Sequence, residues 1–204
     1  MAARNKYGWG SYSTVVSVLA AVIPDAPSTV FTVQDGLFSE LSWNIPAANG
    51  ADVESFEIVI QGVSTGFAAS DTCTGDDPAL TECQVAYSEL TGADFGLELG
   101  DLIVVQVRAI NEIGSGPFSV LNDSGDIVRT VPRSPPDALE EGPSTDDSQI
   151  EVTWSALSGI DTGYDSITRY TVFWDNGSSG TDWVLIETQD LGSFTYSYIK
   201  STGI

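Results

Sequence analysis

Two stretches of this chain repeat each other over a distance far too long for a local motif. Ala3-Arg4-Asn5-Lys6-Tyr7-Gly8-Trp9-Gly10-Ser11-Tyr12-Ser13 recurs as Ala109-Ile110-Asn111-Glu112-Ile113-Gly114-Ser115-Gly116-Pro117-Phe118-Ser119, with Asn, both glycines, an aromatic residue and Ser in the same order and spacing. Repetition at this length means that the fold has to be read one period at a time. The prolines repeat as well: Pro24-Asp25-Ala26-Pro27 returns as Pro132-Arg133-Ser134-Pro135-Pro136. Proline fixes φ and carries no amide to donate, so these stretches read as short, stiff hinges between units.

Within each period the signal is for strands. Leu37–Trp43, Phe56–Ile60, Ile103–Ile110, Gln149–Trp154, Tyr170–Trp174, Trp183–Ile186 and Phe194–Ile199 are short and rich in β-branched and aromatic residues. Clusters of Gly, Pro, Asn and Asp separate them. In one strand Ile103, Val105, Val107 and Ala109 alternate with Gln106 and Arg108, which predicts one side in a core and the other toward water. No stretch of a dozen residues keeps a helical apolar period without Gly or Pro, so helix is minor at most. Short strands at regular spacing predict an all-β chain of antiparallel sandwiches.

These residues resemble a known pattern, that of tandem fibronectin type III domains. The family has a Pro-rich entry, a strand-B Trp, a strand F and then Asn-x-x-Gly-x-Gly-x-x-Ser in the F–G turn. Pro24–Pro27, Trp43, Ile103–Ala109 and Asn111–Ser119 meet that pattern. The resemblance implies immunoglobulin-like sandwiches with incomplete domains at both ends. Residues 1–23 match the end of strand F and strand G, 24–132 a complete domain, and 133–204 strands A to E of a further one, around Trp154. The family's usual corner tyrosine is replaced by Ile103, which implies a looser E–F corner. The variant at residues 4–27 also resembles repeat arrays of unicellular eukaryotes such as ciliates. For function the resemblance implies adhesive, spacer or receptor-ectodomain roles.

Charge narrows the partners. The chain has 29 acidic and 7 basic residues, no histidine and a net charge of −22. Nucleic acid and anionic lipid both require clustered Lys and Arg, so neither is an expected partner. The apolar run Thr14–Ile23 is too short to span a bilayer. Without histidine, no Ser-His-Asp or Cys-His arrangement is available, and no enzyme activity is expected.

Cys73 and Cys83 cannot complete a zinc site and are not a C-x-x-C pair. A disulfide closing a short loop fits them best, with two unrelated buried thiols the other reading. Asn122-Asp-Ser124 and Asn176-Gly-Ser178 are glycosylation sequons, and with the cysteines they point to an extracellular or cell-surface setting. No cofactor is expected, apart from calcium. Glu140, Glu141, Asp146 and Asp147, near the second hinge, are the first place to look for it, although no EF-hand spacing is present. Trp174 and Trp183 flank the loop Asp175–Gly180, either paired across strands or as a flat aromatic surface.

The two ends read as complementary parts of one domain. A strand F for the last unit falls due beyond residue 204, and residue 1 takes up the pattern after a short gap. Trp154, Tyr170 and Val172 would then show an apolar face, and Trp9, Tyr12, Val15, Val16, Val18 and Leu19 would have nothing of their own to pack on. The expected role is an extracellular structural protein, a linear array or filament. Its partners are copies of itself, joined head to tail by covalent continuation or strand complementation. The competing class is an adhesin or receptor fragment that binds a protein or glycan through its loops.

Overall fold

A computed structural model describes residues 1–28, 30–133, 139–175, 177–190 and 197–200. The best-packed part is a sandwich of two antiparallel sheets. One sheet has the order β3 (Phe31–Asp35), β4 (Phe38–Ser42), β7 (Glu82–Ala86). The other has the order β6 (Gly66–Ala68), β5 (Val53–Gly62), β8 (Val105–Asn111), β9 (Gly114–Ser115). One turn of helix, α1 (Tyr87–Leu90), links β7 to the loop that precedes β8.

Alternation decides which side chains meet between the sheets. Phe56, Ile58 and Ile60 on β5 face inward beside Val105, Val107 and Ala109 on β8, and Leu41, Trp43 and Val85 close over them. Trp43 and Phe56 meet edge to face with ring centroids 5.4 Å apart, the favoured geometry for two ring quadrupoles. The Cys73–Cys83 disulfide ties the loop before β7 into this core.

Ile103 is fully buried, as the strand pattern predicts. The looser corner implied by its lack of a hydroxyl is not what forms. Tyr87 in α1 is buried and donates to Asp126 Oδ2 at 2.7 Å, and Arg129 Nε meets the other oxygen of that carboxylate at 3.2 Å. A different tyrosine, from the other side of the corner, supplies the tether.

After the F–G turn the chain runs beside β8 largely through side chains. Ser119 gives its amide to the Val107 carbonyl and accepts the Val107 amide on Oγ. Asn122 accepts the Val105 amide at 2.7 Å and donates to the Ile103 carbonyl at 2.8 Å. This corrects one sequon: Asn122 is buried and its amide group is already used, so no glycan fits on it. Asn176 lies outside the described residues.

The second unit repeats the plan. β10 (Glu140–Glu141), β11 (Ile150–Thr153) and β14 (Ser197–Lys200) form one sheet in that order, and β12 (Arg169–Trp174) pairs with β13 (Val184–Asp190). Trp154 and Tyr170 meet edge to face at 5.8 Å, so β12 is the counterpart of β5. The expectation of an open apolar face here is corrected: Trp154, Tyr170 and Val172 are each less than a tenth exposed, packed with Val152, Leu157 and Ile167.

At the head, β1 (Arg4–Asn5) and β2 (Gly8–Trp9) form a hairpin, followed by an extended segment. Trp9, Tyr12, Val15, Val16, Val18 and Leu19 are all exposed, and the Arg4 guanidinium lies over the Trp9 ring.

Candidate functional site

The most elaborated site is the place where the chain passes the loop of the unit it leads into, and it occurs twice, at the entry to the complete sandwich and between that sandwich and the second unit. At the first junction the chain entering the complete sandwich passes the loop between β4 and β5. Val22 donates its amide to the Asn49 carbonyl at 3.1 Å, and Asp25 donates to Ala47 at 3.0 Å. At the second, the chain leaving that sandwich passes the loop between β11 and β12. Thr130 donates to the Gly163 carbonyl at 3.0 Å, and Arg133 to Asp161 at 3.1 Å. Both ladders have the same form: a donor three residues further along meets an acceptor two residues further back. Pro24 and Pro132, which have no amide, sit at the same place between the two donors.

The loops repeat an unusual backbone to make this contact. Asn49 and Gly50 have φ of 56° and 95°, and their counterparts Gly163 and Tyr164 have 70° and 62°. Such left-handed residues are uncommon outside glycine and asparagine, and two in succession bring the loop's carbonyls against the passing chain. The approach is close at each junction. A Cβ on Gly50 would stand 2.4 Å from the Ala20 carbonyl oxygen, and one on Gly163 would stand 2.1 Å from that of Thr130.

The repeated Asn-x-x-Gly-x-Gly motif serves the same contact. Asn111 is buried, and its amide nitrogen donates to the carbonyls of Val22, Ala48 and Ala51. Its oxygen accepts the amides of Ile113 and Gly114. One side chain thereby joins the entering chain, the loop and the F–G turn. Gly116 lies under the entering chain, where a Cβ would come within 2.4 Å of the Pro24 carbonyl oxygen.

The second junction adds side-chain contacts. The Arg129 guanidinium donates to the Tyr164 carbonyl while holding Asp126, and so links the buried Tyr87–Asp126 pair to the next unit. Gln34 donates to Asp165 Oδ2 at 2.9 Å. That bond, then the Ser166 amide, holds the Asp165 carboxyl below its ordinary value. The Tyr164 ring lies against Gly100, which has no side chain to obstruct it.

The acids named as calcium ligands do not converge. Glu140 and Glu141 lie on β10, exposed, opposite Thr153 and Val152. Asp146 is committed to its own turn. The Ser148 hydroxyl and amide and the Gln149 amide donate to its carboxylate and depress its pKa. Among the described residues no group of three or more acidic, Cys or His side chains could hold a metal ion, so the calcium expectation at Glu140, Glu141, Asp146 and Asp147 is corrected. The buried acid of this region is Glu151, satisfied by the Ser144 amide. Trp174 stands opposite Val184, and Trp183 is exposed just before β13. Among the described residues no helix is long and apolar enough to cross a membrane.

A two-sheet antiparallel sandwich with a buried strand-B tryptophan, an Asn-clamped F–G turn and a Pro-marked entry is fibronectin type III-like, and this chain is a fibronectin type III-like protein. No family model matches the chain. It is 30% identical over 120 residues to fibronectin type-III domain-containing protein 3a of Gallus gallus; the match covers 57% of this chain and 9% of that protein. Among solved structures, the FN1–FN3 domains of chicken CNTN1 align at 15% identity and a TM-score of 0.41, over 87% of this chain and 56% of that one. A multi-domain structure from titin aligns at 18% identity and a TM-score of 0.40, over 62% of this chain and 39% of that one.

Proposed function

We propose that this chain is a structural spacer, a stretch of an extracellular linear array in which each sandwich is set against the next in a constant relation. The observation that carries this reading is the repeated junction ladder, Val22–Asn49 with Asp25–Ala47 and Thr130–Gly163 with Arg133–Asp161. A flexible tether needs no such contacts, whereas a spacer that must transmit position or force does. Short Pro-marked linkers and close glycine contacts at both junctions serve the same end. The disulfide supports an extracellular setting. The high negative charge disperses neighbouring arrays by repulsion.

Backbone 15N relaxation on the 204-residue chain tests this reading. The two units on either side of residue 132 should tumble with one common correlation time. Two independent correlation times would refute a fixed junction.

A second reading, adhesion through the loops, is favoured by one observation: Trp183 is 62% exposed beside the loop 175–182. An exposed indole is a candidate contact for a glycan or protein surface. Loss of glycan or cell binding on Trp183→Ala, with unchanged unfolding, would support it; no binding by the unaltered chain would dismiss it.

A further inference from the structure

We infer that Asn49 is a site of spontaneous hydrolytic deamidation, unlocked when the entering chain lifts from its loop, and that the reaction makes that release irreversible. The inference stands on the entry contact alone and goes beyond the spacer reading.

Asn49 is followed by Gly50, and the chain has one other Asn-Gly pair, Asn176-Gly177. Glycine leaves its amide nitrogen unshielded by a side chain, and that nitrogen is tethered beside the Asn carboxamide carbon, so attack is intramolecular. The Gly50 nitrogen forms a bond to Asn49 Cγ, and the Cγ–Nδ2 bond breaks. The amide group leaves as ammonia, taking the proton that Gly50 gives up. Water then opens the cyclic imide at either carbonyl and gives aspartate or isoaspartate. Asn49 is half-buried and Gly50 exposed, so water reaches the site.

The folded contact holds this reaction back. Asn49 Nδ2 donates to the Ile23 carbonyl and to Asp25 Oδ1, both at 3.1 Å. Ring closure makes Cγ tetrahedral and swings Nδ2 out of the amide plane, so both bonds must break on the way. The Asn49 carbonyl accepts the Val22 amide, and the Ala20 carbonyl oxygen lies close over Gly50, 2.4 Å from where a Cβ would stand. The peptide between Asn49 and Gly50 is therefore free to rotate only after the entering chain has lifted, which is a local opening.

The product has no means of remaking the contact. Both partners of Nδ2 are acceptors, and a carboxylate has no proton to donate. Aspartate at this position sets a second negative charge against Asp25. In isoaspartate the main chain runs through the former side chain. The carbonyl that accepted Val22 becomes a free carboxylate, and the backbone gains a methylene. The change is confined to the entry, because the counterpart of Asn49 at the next junction is Gly163.

The test uses the 204-residue chain carrying Asn176→Gln, which removes the other Asn-Gly pair. The chain is incubated at mildly alkaline pH, folded or in urea, with and without Asp25→Ala. Cleavage after Glu40 and Glu54 releases a peptide in which mass spectrometry counts aspartate and isoaspartate at position 49. Product should accumulate in the folded chain at least roughly tenfold more slowly than in urea. Asp25→Ala should react several-fold faster than the unaltered chain when folded and equally fast in urea. In the deamidated folded chain the Val22 and Asp25 amides should lose their protection from hydrogen exchange, while that of Val107 in β8 keeps it. No product in the folded chain while the unfolded chain reacts overturns the inference. Equal folded rates with and without Asp25→Ala overturn it too, as does retained protection of Val22 after deamidation. The spacer reading is tested across residue 132, so an unreactive Asn49 would sink this inference and leave that reading standing.

Discussion

The amide of Thr130 donates to the carbonyl of Gly163 at 3.0 Å, across the boundary between one sandwich and the next. Its counterpart at the entry to the complete sandwich, Val22 to Asn49 at 3.1 Å, repeats the same contact between a passing chain and the loop beside it. The linker is held by the loop it passes, and the loop takes a strained backbone to hold it.

Gly163→Ala should loosen that join. The residue has φ of 70°, and the added Cβ would overlap the Thr130 oxygen. A cost of about 1–3 kcal/mol is expected for such a position, enough to break a two-bond ladder. In 15N relaxation the two units should then show separate correlation times, while the core around Trp43 keeps its unfolding midpoint.

Asn111 and Asn5 have the same sequence context and should behave oppositely. Asn111→Ala leaves buried carbonyls and amides without their partner and should destabilise the complete sandwich by about 2–3 kcal/mol in urea unfolding. Asn5 is exposed, so Asn5→Ala should change stability by about 0.5 kcal/mol or less.

Tyr87 gives an alkaline limit. Burial, reinforced by its hydrogen bond to Asp126, pushes its hydroxyl above the ordinary value of 10.0. The folded state therefore holds a proton that the unfolded state releases. The stability this contributes is complete below about pH 10 and is lost as pH rises above it. Absorbance at 295 nm should show one tyrosine that ionises only on unfolding, and Tyr87→Phe should remove that step.

Asp165 gives an acid limit. Its carboxyl is depressed chiefly by the Gln34 hydrogen bond, so the contact is complete above the ordinary carboxylate range near pH 4 and is lost as pH falls through the depressed value. Relaxation measured along an acid titration should show the second unit gaining independent motion at low pH. Gln34→Ala should remove much of that pH dependence, because the bond that depresses the carboxyl is then gone.

The disulfide closes a short loop, Cys73 and Cys83 being 10 residues apart. Loop-closure entropy for that length predicts a loss of about 2–3 kcal/mol on reduction or on a Cys→Ser double replacement. Urea midpoints with and without reductant provide the check.

Much of the fold was legible because β5 is rich in buried apolar residues and β8 alternates cleanly between buried and half-buried ones, whereas β4 is mixed, with Ser39 buried beside Leu41 and Phe38 exposed. β3 gave no such signal: its buried residue is Thr32, while Phe31 and Val33 point to solvent, so the alternation runs the wrong way. Thr32 sits inside because its hydroxyl accepts the Asp126 amide, a partner remote in sequence. β7 buries only Val85 deeply and otherwise reads as a polar segment. The junction was half visible. Its prolines, glycines and Asn111 repeat in the sequence, but backbone amides and carbonyls have no letter of their own. Asn122 shows the opposite error, since a sequon is read from three residues while burial depends on the whole sheet beside it.

The central claim is a fixed relation between successive sandwiches. The most direct measurement is a spin-label distance distribution by electron double resonance, with labels at Val63→Cys and Thr181→Cys, both exposed and one in each unit. The account predicts a single narrow peak that broadens on Gly163→Ala. A broad distribution from the otherwise unaltered chain would contradict it.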